Sequence, residues 1–477
     1  MLMKILFEKF YTFSFFLLLV VGHVHGQISF QKTYGGSEND FGLSVQQTTD
    51  GGYILFGETA SFGAGQLDFY LIKTNNLGDK LWEKTFGRAK FDLGLCVQQT
   101  NDGGYILCGA FSGLGNDSLA LIKTDPDGNE IWSKQFRGSV VRDVGRFVQQ
   151  TADEGFIVVG FNGASPEENV LLLKTDSVGN EEWKKTYERI DAQFGNGVRQ
   201  TDDGGYIVAG QTNHRTLTGS DVYLMRMDAG GDTIWTKTFG ATSAQTGRSI
   251  CIADDGGFVV LGYDQSRMQD LYLIKTNTSG SEEWSKNYGG DGQDIGYAVQ
   301  QTTDGGYILS GAKQNVDNQT SDMYAVKTTS SGEIEWENVY PKNVISDATS
   351  VQQTTDGGYI LLGTTTRIND IGSDSDFYLV KTDALGILTH NIDPKTGILI
   401  SASPNPFIEF TILKFENQGQ EIYSLKLFDA QGRLVRKYEQ IASGEIRIER
   451  ENLIPGLFIF RLEKDHKLVG TGKLIFY

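Results

Sequence analysis

The chain has 477 residues, a formal net charge of −18 at pH 7, 11% aromatic residues, and 59 glycines against 7 prolines. That aromatic content excludes a disordered chain, and the acidic balance argues against a nucleic-acid or anionic-membrane partner. Its 3 cysteines are too few for a disulfide framework.

Residues 1–26 read as an export signal. Lys4 and Lys9 precede the run Phe13-Ser14-Phe15-Phe16-Leu17-Leu18-Leu19-Val20-Val21, which is too short for a permanent bilayer span. Val24 and Gly26 are small enough for a signal-peptidase site, so the mature chain is expected to start near Gln27, with no transmembrane segment. The competing reading, an uncleaved anchor, lacks a stop-transfer pattern.

The next stretch sets the architecture. Val45-Gln46-Gln47-Thr48-Thr49-Asp50-Gly51-Gly52-Tyr53-Ile54-Leu55 recurs from Val97, Val148, Val198, Ile250, Val299 and Val351. Its aromatic falls at Tyr53, Tyr105, Phe156, Tyr206, Phe258, Tyr307 and Tyr359, a period of roughly 50 residues, as in propellers and solenoids. Each repeat holds four strand-like runs, A to D. In repeat 1, runs 44–48 and 53–57 flank the Asp50-Gly51-Gly52 turn, a strong hairpin signal. Run C is 69–74 and run D is 80–86. Four antiparallel strands per repeat match one propeller blade.

The Trp of run D recurs as Trp82, Trp132, Trp183, Trp235, Trp284 and Trp336, which accounts for all 6 tryptophans. The seventh repeat therefore lacks its own run D. Phe30-Gln31-Lys32-Thr33-Tyr34-Gly35 aligns with Trp82-Glu83-Lys84-Thr85-Phe86-Gly87, with Phe30 in the Trp position. An array with open ends exposes a sheet edge and a bare face. The expected fold is all-β, a seven-bladed propeller over 27–386, with 28–36 as strand D of the blade built by 347–383. A one-way solenoid gives no reason for the split repeat. If Phe30 is core, Phe30→Ala should cost ~3–5 kcal/mol. The Tyr-Leu-Ile-Lys-Thr run followed by a Gly turn and Trp resembles the tryptophan-docking blade of pyrroloquinoline-quinone-type propellers. The resemblance covers roughly 28–386 and is architectural; no quinone is carried over.

Asp393-Pro394-Lys395-Thr396-Gly397 marks a linker over 387–398. Several short strand-like runs follow, with a turn at Asp429-Ala430-Gln431-Gly432, and read as a small β-sandwich. Ser403-Pro404-Asn405-Pro406-Phe407, Leu425-Lys426-Leu427-Phe428-Asp429-Ala430-Gln431-Gly432-Arg433-Leu434-Val435 and Leu453-Ile454-Pro455-Gly456-Leu457-Phe458-Ile459-Phe460-Arg461-Leu462 lie here, with Gly472-Lys473-Leu474-Ile475 after them. This ordered set resembles the C-terminal sorting domain of type IX secretion cargo of Bacteroidota, over roughly 399–477. Phe458 stands where that family commonly has Tyr. The resemblance implies the type IX secretion machinery as a partner and export to the cell surface or medium. The competing reading is a generic accessory sandwich.

A residue repeated in every blade is most simply structural, so the Asp-Gly-Gly turns and the strand C bases (Lys73, Lys123, Lys174, Arg226, Lys275, Lys327, Lys381) are assigned no chemistry. Glu154 replaces one turn glycine and is expected to distort that turn. Gln46, Gln98, Gln149, Gln300 and Gln352 either satisfy the free edge of strand A or ring a small polar ligand. Cys96 and Cys108 face each other on one hairpin, either bridged or as two buried small residues.

Variation concentrates in the D–A and B–C loops, on one face, and recognition is expected there. The candidates are Asp40, Arg88, Asp92, Arg142, Asp143, Arg189 and Asp294 on the first set, and His214, Arg215, Asp264, Arg267 and Arg367 on the second. Asp40, Asp92, Asp143 and Asp294 share one repeat position, which fits strand capping or calcium ligation. No other cofactor is implied. There is no His-Glu-x-x-His, Cys-x-x-Cys, Gly-x-Ser-x-Gly or phosphate loop. The first expectation is an exported propeller binding a glycan or protein partner. The second is a polysaccharide-acting hydrolase or lyase using loop carboxylates, and the third a structural surface protein with no small ligand.

Overall fold

The computed structural model describes residues 28–388 and 400–476, apart from 113–116, 138–141, 165–166, 189–191, 214–218, 241–243, 266–268, 318, 344, 370–371, 404, 416, 418–420, 430–433 and 465–466. Residues 1–26, read above as an export signal, most of the expected linker, Arg189, His214, Arg215 and Arg267 lie outside the described residues, as do Pro404 and residues 430–433. Among the described residues every regular element is a strand. Among these residues no helix is long and apolar enough to cross a membrane.

The repeats form four-stranded antiparallel sheets of the kind that make propeller blades. Repeat 1 comprises Asp40–Gln47, Tyr53–Thr59, Asp68–Thr74 and Lys80–Phe86, hydrogen-bonded in that order. Repeats 2 to 5 follow the same order in separate sheets. The short strand Ile345–Ser346 links the strands of repeats 6 and 7 into one nine-stranded sheet. Phe30–Tyr34 pairs with Gly372–Thr382 of repeat 7, placing Phe30 opposite Lys381. Trp82 stands opposite Lys73 in the same way.

The A–B turn is built by its own residues. Asp50 Oδ1 accepts from Gly52 N at 2.9 Å and from Thr48 Oγ1 at 2.5 Å, while Gly51 takes φ 82°. Behind it, the buried Lys73 Nζ reaches Asp50 Oδ2 at 2.9 Å. The equivalent pair recurs in every repeat, from Lys123–Asp102 to Lys381–Asp356. The ring of strand C bases is thus consumed locally. Glu154 corrects one expectation. It adopts φ 66° and keeps the turn bonds, with Glu154 N donating to Thr151 O at 2.9 Å. The turn is undistorted and the side chain bears a left-handed backbone, a cost of roughly 1–2 kcal/mol.

The core lies between sheets, not within them. Ile54, Phe56, Phe69 and Leu71 of repeat 1 share one cluster with Val97, Tyr105, Leu107 and Ile122 of repeat 2. Ile360, Leu362, Phe377 and Leu379 of repeat 7 pack in the same manner with Val45, Tyr53, Leu55 and Tyr70 of repeat 1. Each Trp docks on the next repeat, where the tight turn must carry glycine. A Cβ on Gly128, at φ 75°, would sit 2.7 Å from the Trp82 ring. Phe30 occupies the same place against Gly78, but it is only partly buried, which lowers the cost expected for a full core site. Cys96 and Cys108 are register partners, yet both are free, buried thiols, as is Cys251.

Residues 400–476 form two further sheets, one of three strands and one of four. Leu413 and Ile448 of the first meet Leu425, Leu427, Phe460 and Leu474 of the second in a single core.

Candidate functional site

Strand A of each repeat carries the site. In six repeats it is bulged at one residue, which has no register partner on strand B: Leu43, Leu95, Arg146, Asn196, Arg248 and Tyr297. A bulge re-aims the side chain it inserts. All six, with Thr349 of repeat 7, line one pocket of about 370 Å³ walled by strand A residues of every repeat. The bulges lie toward the D–A end of these strands and the glutamines toward the A–B end.

The glutamines stitch neighbouring sheets. Gln99 N donates to Gln46 Oε1 at 2.6 Å, Gln200 N to Gln149 Oε1 at 2.9 Å, and Gln353 N to Gln300 Oε1 at 2.7 Å. Gln47 N donates to Gln352 Oε1 at 2.6 Å, joining repeats 1 and 7, and Thr355 N returns a bond to Gln47 Oε1 at 2.8 Å. The edge-satisfying role of the glutamines is therefore met. Arg199 and Cys251 stand at the glutamine position in repeats 4 and 5, and both line the pocket.

Three guanidiniums from consecutive repeats enter this space. Arg146 lies 5.0 Å over the Phe161 ring and 5.3 Å from that of Phe194, and donates through Nη1 to Asn196 Oδ1. Arg199 stacks 4.4 Å from the Phe147 ring and donates to Val198 O at 2.8 Å. Arg248 sits between Tyr263 at 5.5 Å and Tyr297 at 5.7 Å, and its Nε is buried with no hydrogen-bond partner among the described residues. No Asp or Glu lines the pocket. Burial, with Arg248 and Arg142 nearby, brings the Arg146 pKa down to about 10 against the pull of Glu168. Burial also lowers that of Arg199. Guanidinium groups keep their charge in proteins, so the pocket wall is cationic in a chain of opposite overall sign.

The loop candidates divide. Asp40, Asp92, Asp143 and Asp294 are at most 1% exposed, so they do not present carboxylates to solvent. Asp40 Oδ2 accepts from Gly36 N at 2.7 Å and Ser61 Oγ at 2.8 Å, bracing the D–A segment against the B–C segment. Asp92 accepts from Arg88 N at 2.5 Å and Ser112 N at 3.0 Å. Asp143 takes Lys184 at 2.7 Å, and Asp294 accepts from Gln314 N at 2.9 Å. Burial, reinforced by Asp68, raises the Asp92 pKa against those two N–H donors. No group of three or more His, Cys, Asp or Glu suited to a metal occurs among the described residues. Asp264 accepts from Gln245 Nε2 at 3.0 Å, and the exposed Arg367 meets Asp376 at 2.9 Å. Arg88 covers Phe111 at 5.2 Å. Among the described candidates, Arg142 comes beside the pocket, since it lies 5.6 Å from the Phe161 ring that also supports Arg146.

Sequence reasoning missed Arg146, Arg199 and Arg248. A signal was present. The residue after the strand A glycine is Leu43 and Leu95 in repeats 1 and 2 but Arg146 and Arg248 in repeats 3 and 5, a change inside an element that otherwise repeats.

Residues 401–477 match the model of the secretion system C-terminal sorting domain. The protein therefore carries a tail that indicates type IX export to the cell surface or medium. No curated protein matches the chain. Among solved structures it is similar to the extracellular domain of the two-component protein BT3049 from B. thetaiotaomicron, with 12% identity over 92% of this chain and 55% of that one, at a TM-score of 0.41. Puromycin hydrolase shares 11% identity over 80% of this chain and 59% of the other, at 0.49. The Neurospora crassa Pan2 WD40 domain shares 12% over 73% and 89%, at 0.43. The chain thus spans between half and two thirds of the length of the first two.

Proposed function

We propose that this protein is an exported binding module: a closed seven-bladed propeller over 27–386, a linker over 387–398 and a sorting sandwich over 399–477 that engages the type IX machinery. Support for closure comes from Phe30–Tyr34 pairing with repeat 7 and from the glutamine bonds between repeats 7 and 1. The ligand, a glycan or protein, is taken on the face of the D–A and B–C loops. The observation that carries this reading is the loss of repeat symmetry on one side of the molecule. The A–B turns keep one base–aspartate pair throughout, lysine in six repeats and Arg226 in the fourth, while the D–A and B–C loops and the bulge residues beneath them differ between repeats. Differences on a common scaffold are where recognition lives. Glycoside hydrolysis ordinarily uses two facing carboxyl groups; the pocket wall has none, and four of the loop acids are buried. Binding is accordingly favoured over hydrolysis. The test is a glycan and surface-protein array probed with the full mature chain, with reducing-sugar release followed in parallel. Saturable binding without release is expected, and an array with no binding above background refutes the reading.

A further inference from the structure

The pocket walled by strand A combines three properties that a purely structural channel does not need. Its wall is cationic on one side only, through Arg146, Arg199 and Arg248 of repeats 3 to 5. The arginines work against one another, since Arg248 is among the influences that lower the Arg146 pKa, behind burial. One of them also stands in place of a structural residue. Arg199 occupies the position where glutamines stitch the sheets of repeats 1, 2, 3, 6 and 7 to their neighbours.

Aromatic rings lie against the three guanidiniums, whose protein hydrogen bonds are few: Arg146 to Asn196, Arg199 to Val198 O and Arg248 to Tyr263. Phe161 and Phe194 support Arg146, Phe147 supports Arg199, and Tyr263 and Tyr297 flank Arg248. Cation–π contact stabilises the face of a guanidinium but supplies no acceptor for its N–H groups. Arg248 Nε is buried and unpartnered among the described residues. The three arginines are half-buried; a partly desolvated charge costs free energy unless it is paired, and the acceptor that pairs best with a guanidinium fork is a planar or tetrahedral oxyanion.

We propose that this pocket binds a small ligand bearing an oxyanion, a carboxylate or a sulfate, with Arg146, Arg199 and Arg248 as its charge partners and Asn196 as a neutral neighbour. The proposal rests on the binding reading above and deepens it by naming the ligand class. At about 370 Å³ the cavity lies at the small end of the range for ligand sites, ~300–1,000 Å³. It therefore takes a single small molecule or the charged end of a larger one. The low-dielectric walls concentrate the field of the three cations, so the pocket attracts anions although the protein as a whole repels them.

The test is calorimetric titration of the mature chain, residues 27–477, with glucuronate, glucose 6-sulfate, inorganic sulfate and neutral glucose, at low and at physiological salt. At least one anion should bind ten-fold or more tightly than glucose, and more weakly at the higher salt. Whether glucuronate or the sulfates bind better identifies the oxyanion. The variants use residues that other repeats already place there: R146L, R199Q and R248L. Each should fold, and each should weaken anion binding at least ten-fold. R447Q, at an exposed arginine of the C-terminal sheets, should leave it unchanged. Failure of all three anions to bind, equal binding of glucose, or wild-type affinity in R248L each overturns the proposal. The two readings separate cleanly. Array binding by a chain that takes no anion removes this inference alone. Anion binding that R146L and R248L abolish, with an empty array, sustains this inference and removes the loop-face partner.

Discussion

Phe30 lies edge-on to Tyr53, with ring centroids 6.0 Å apart at 65°, and so reproduces the contact of Trp82 with Tyr105 at 6.1 Å and 62°. The first residue of the first strand thus does for repeat 7 what a tryptophan does for each of the others. Because Phe30 is partly exposed, Phe30→Ala should cost about 2 kcal/mol, less than the ~3–5 of a fully buried ring. Phe30→Trp should be neutral or stabilising, since the Gly78 turn already offers the tryptophan seat. Urea unfolding of both variants decides this. An alanine variant as stable as the wild type means that the strand is not part of the structural unit.

That relationship was readable from a count of tryptophans against repeats. The pocket was not, because a bulge is a matter of backbone register: the change from leucine to arginine after the strand A glycine is visible, but not where the bulge aims the side chain. Arg146 and Arg248 look like ordinary members of a strand until pairing with strand B skips them. The loop acids misled for the opposite reason. Asp40 and Asp92 sit in polar, glycine-containing loops and read as solvated, yet unpaired backbone N–H groups at Gly36, Arg88 and Ser112 draw their carboxylates inward. Glu154 misled in a third way. Its neighbours impose the turn strongly enough to override the preference of its own backbone.

Stability should peak in mildly acid solution. Burial raises Glu58 to about 7, and burial, opposed by the Thr364 N–H, raises Asp347 to about 6. A raised carboxylate pKa adds stability that is complete below the unfolded value, ~4, and is lost as pH rises through the folded value. The turn aspartates act in the other direction. Burial works to raise the Asp50 pKa, but hydrogen bonds from Thr48, Lys73 and Gly52 outweigh it and bring it down to about 2. The six equivalent aspartates are also lowered. Their contribution is present above pH ~4 and lost as pH falls toward 2. Melting temperature measured from pH 2 to 8 should therefore rise, pass a maximum between about pH 4 and 6, and decline. A monotonic rise from pH 5 to 8 contradicts the assignment.

The three thiols should be silent in the native protein. Burial pushes the Cys96 thiol up to about 11, and Cys251 likewise to about 11, while Cys108 is raised further by burial and by Cys96 itself. Reaction with a disulfide reagent requires thiolate and access, and neither is available here. Titration at pH 8 should detect no thiol in the native chain and 3 after denaturation. Detection of only one on denaturation means that Cys96 and Cys108 are bridged in the exported protein.

The seam between repeats 7 and 1 should be as strong as any internal seam. Gln352 Oε1 accepts from Gln47 N at 2.6 Å, and Gln46 Oε1 accepts from Gln99 N at 2.6 Å, so the two bonds are equivalent in geometry. Alanine at either position leaves a backbone N–H without its partner, which costs about 1 kcal/mol. The substitutions sit more than one repeat apart along the chain, yet both act on the edge of repeat 1. In a closed ring, losing either seam releases the same cooperative unit, and Gln352→Ala and Gln46→Ala should match within ~0.5 kcal/mol, the usual limit of additivity. In an open array the contact between repeats 7 and 1 joins nothing that folding depends on. Gln352→Ala would then be silent in urea unfolding while Gln46→Ala would not. Because both variants remove the same side chain, their difference isolates the topology from the chemistry of the bond.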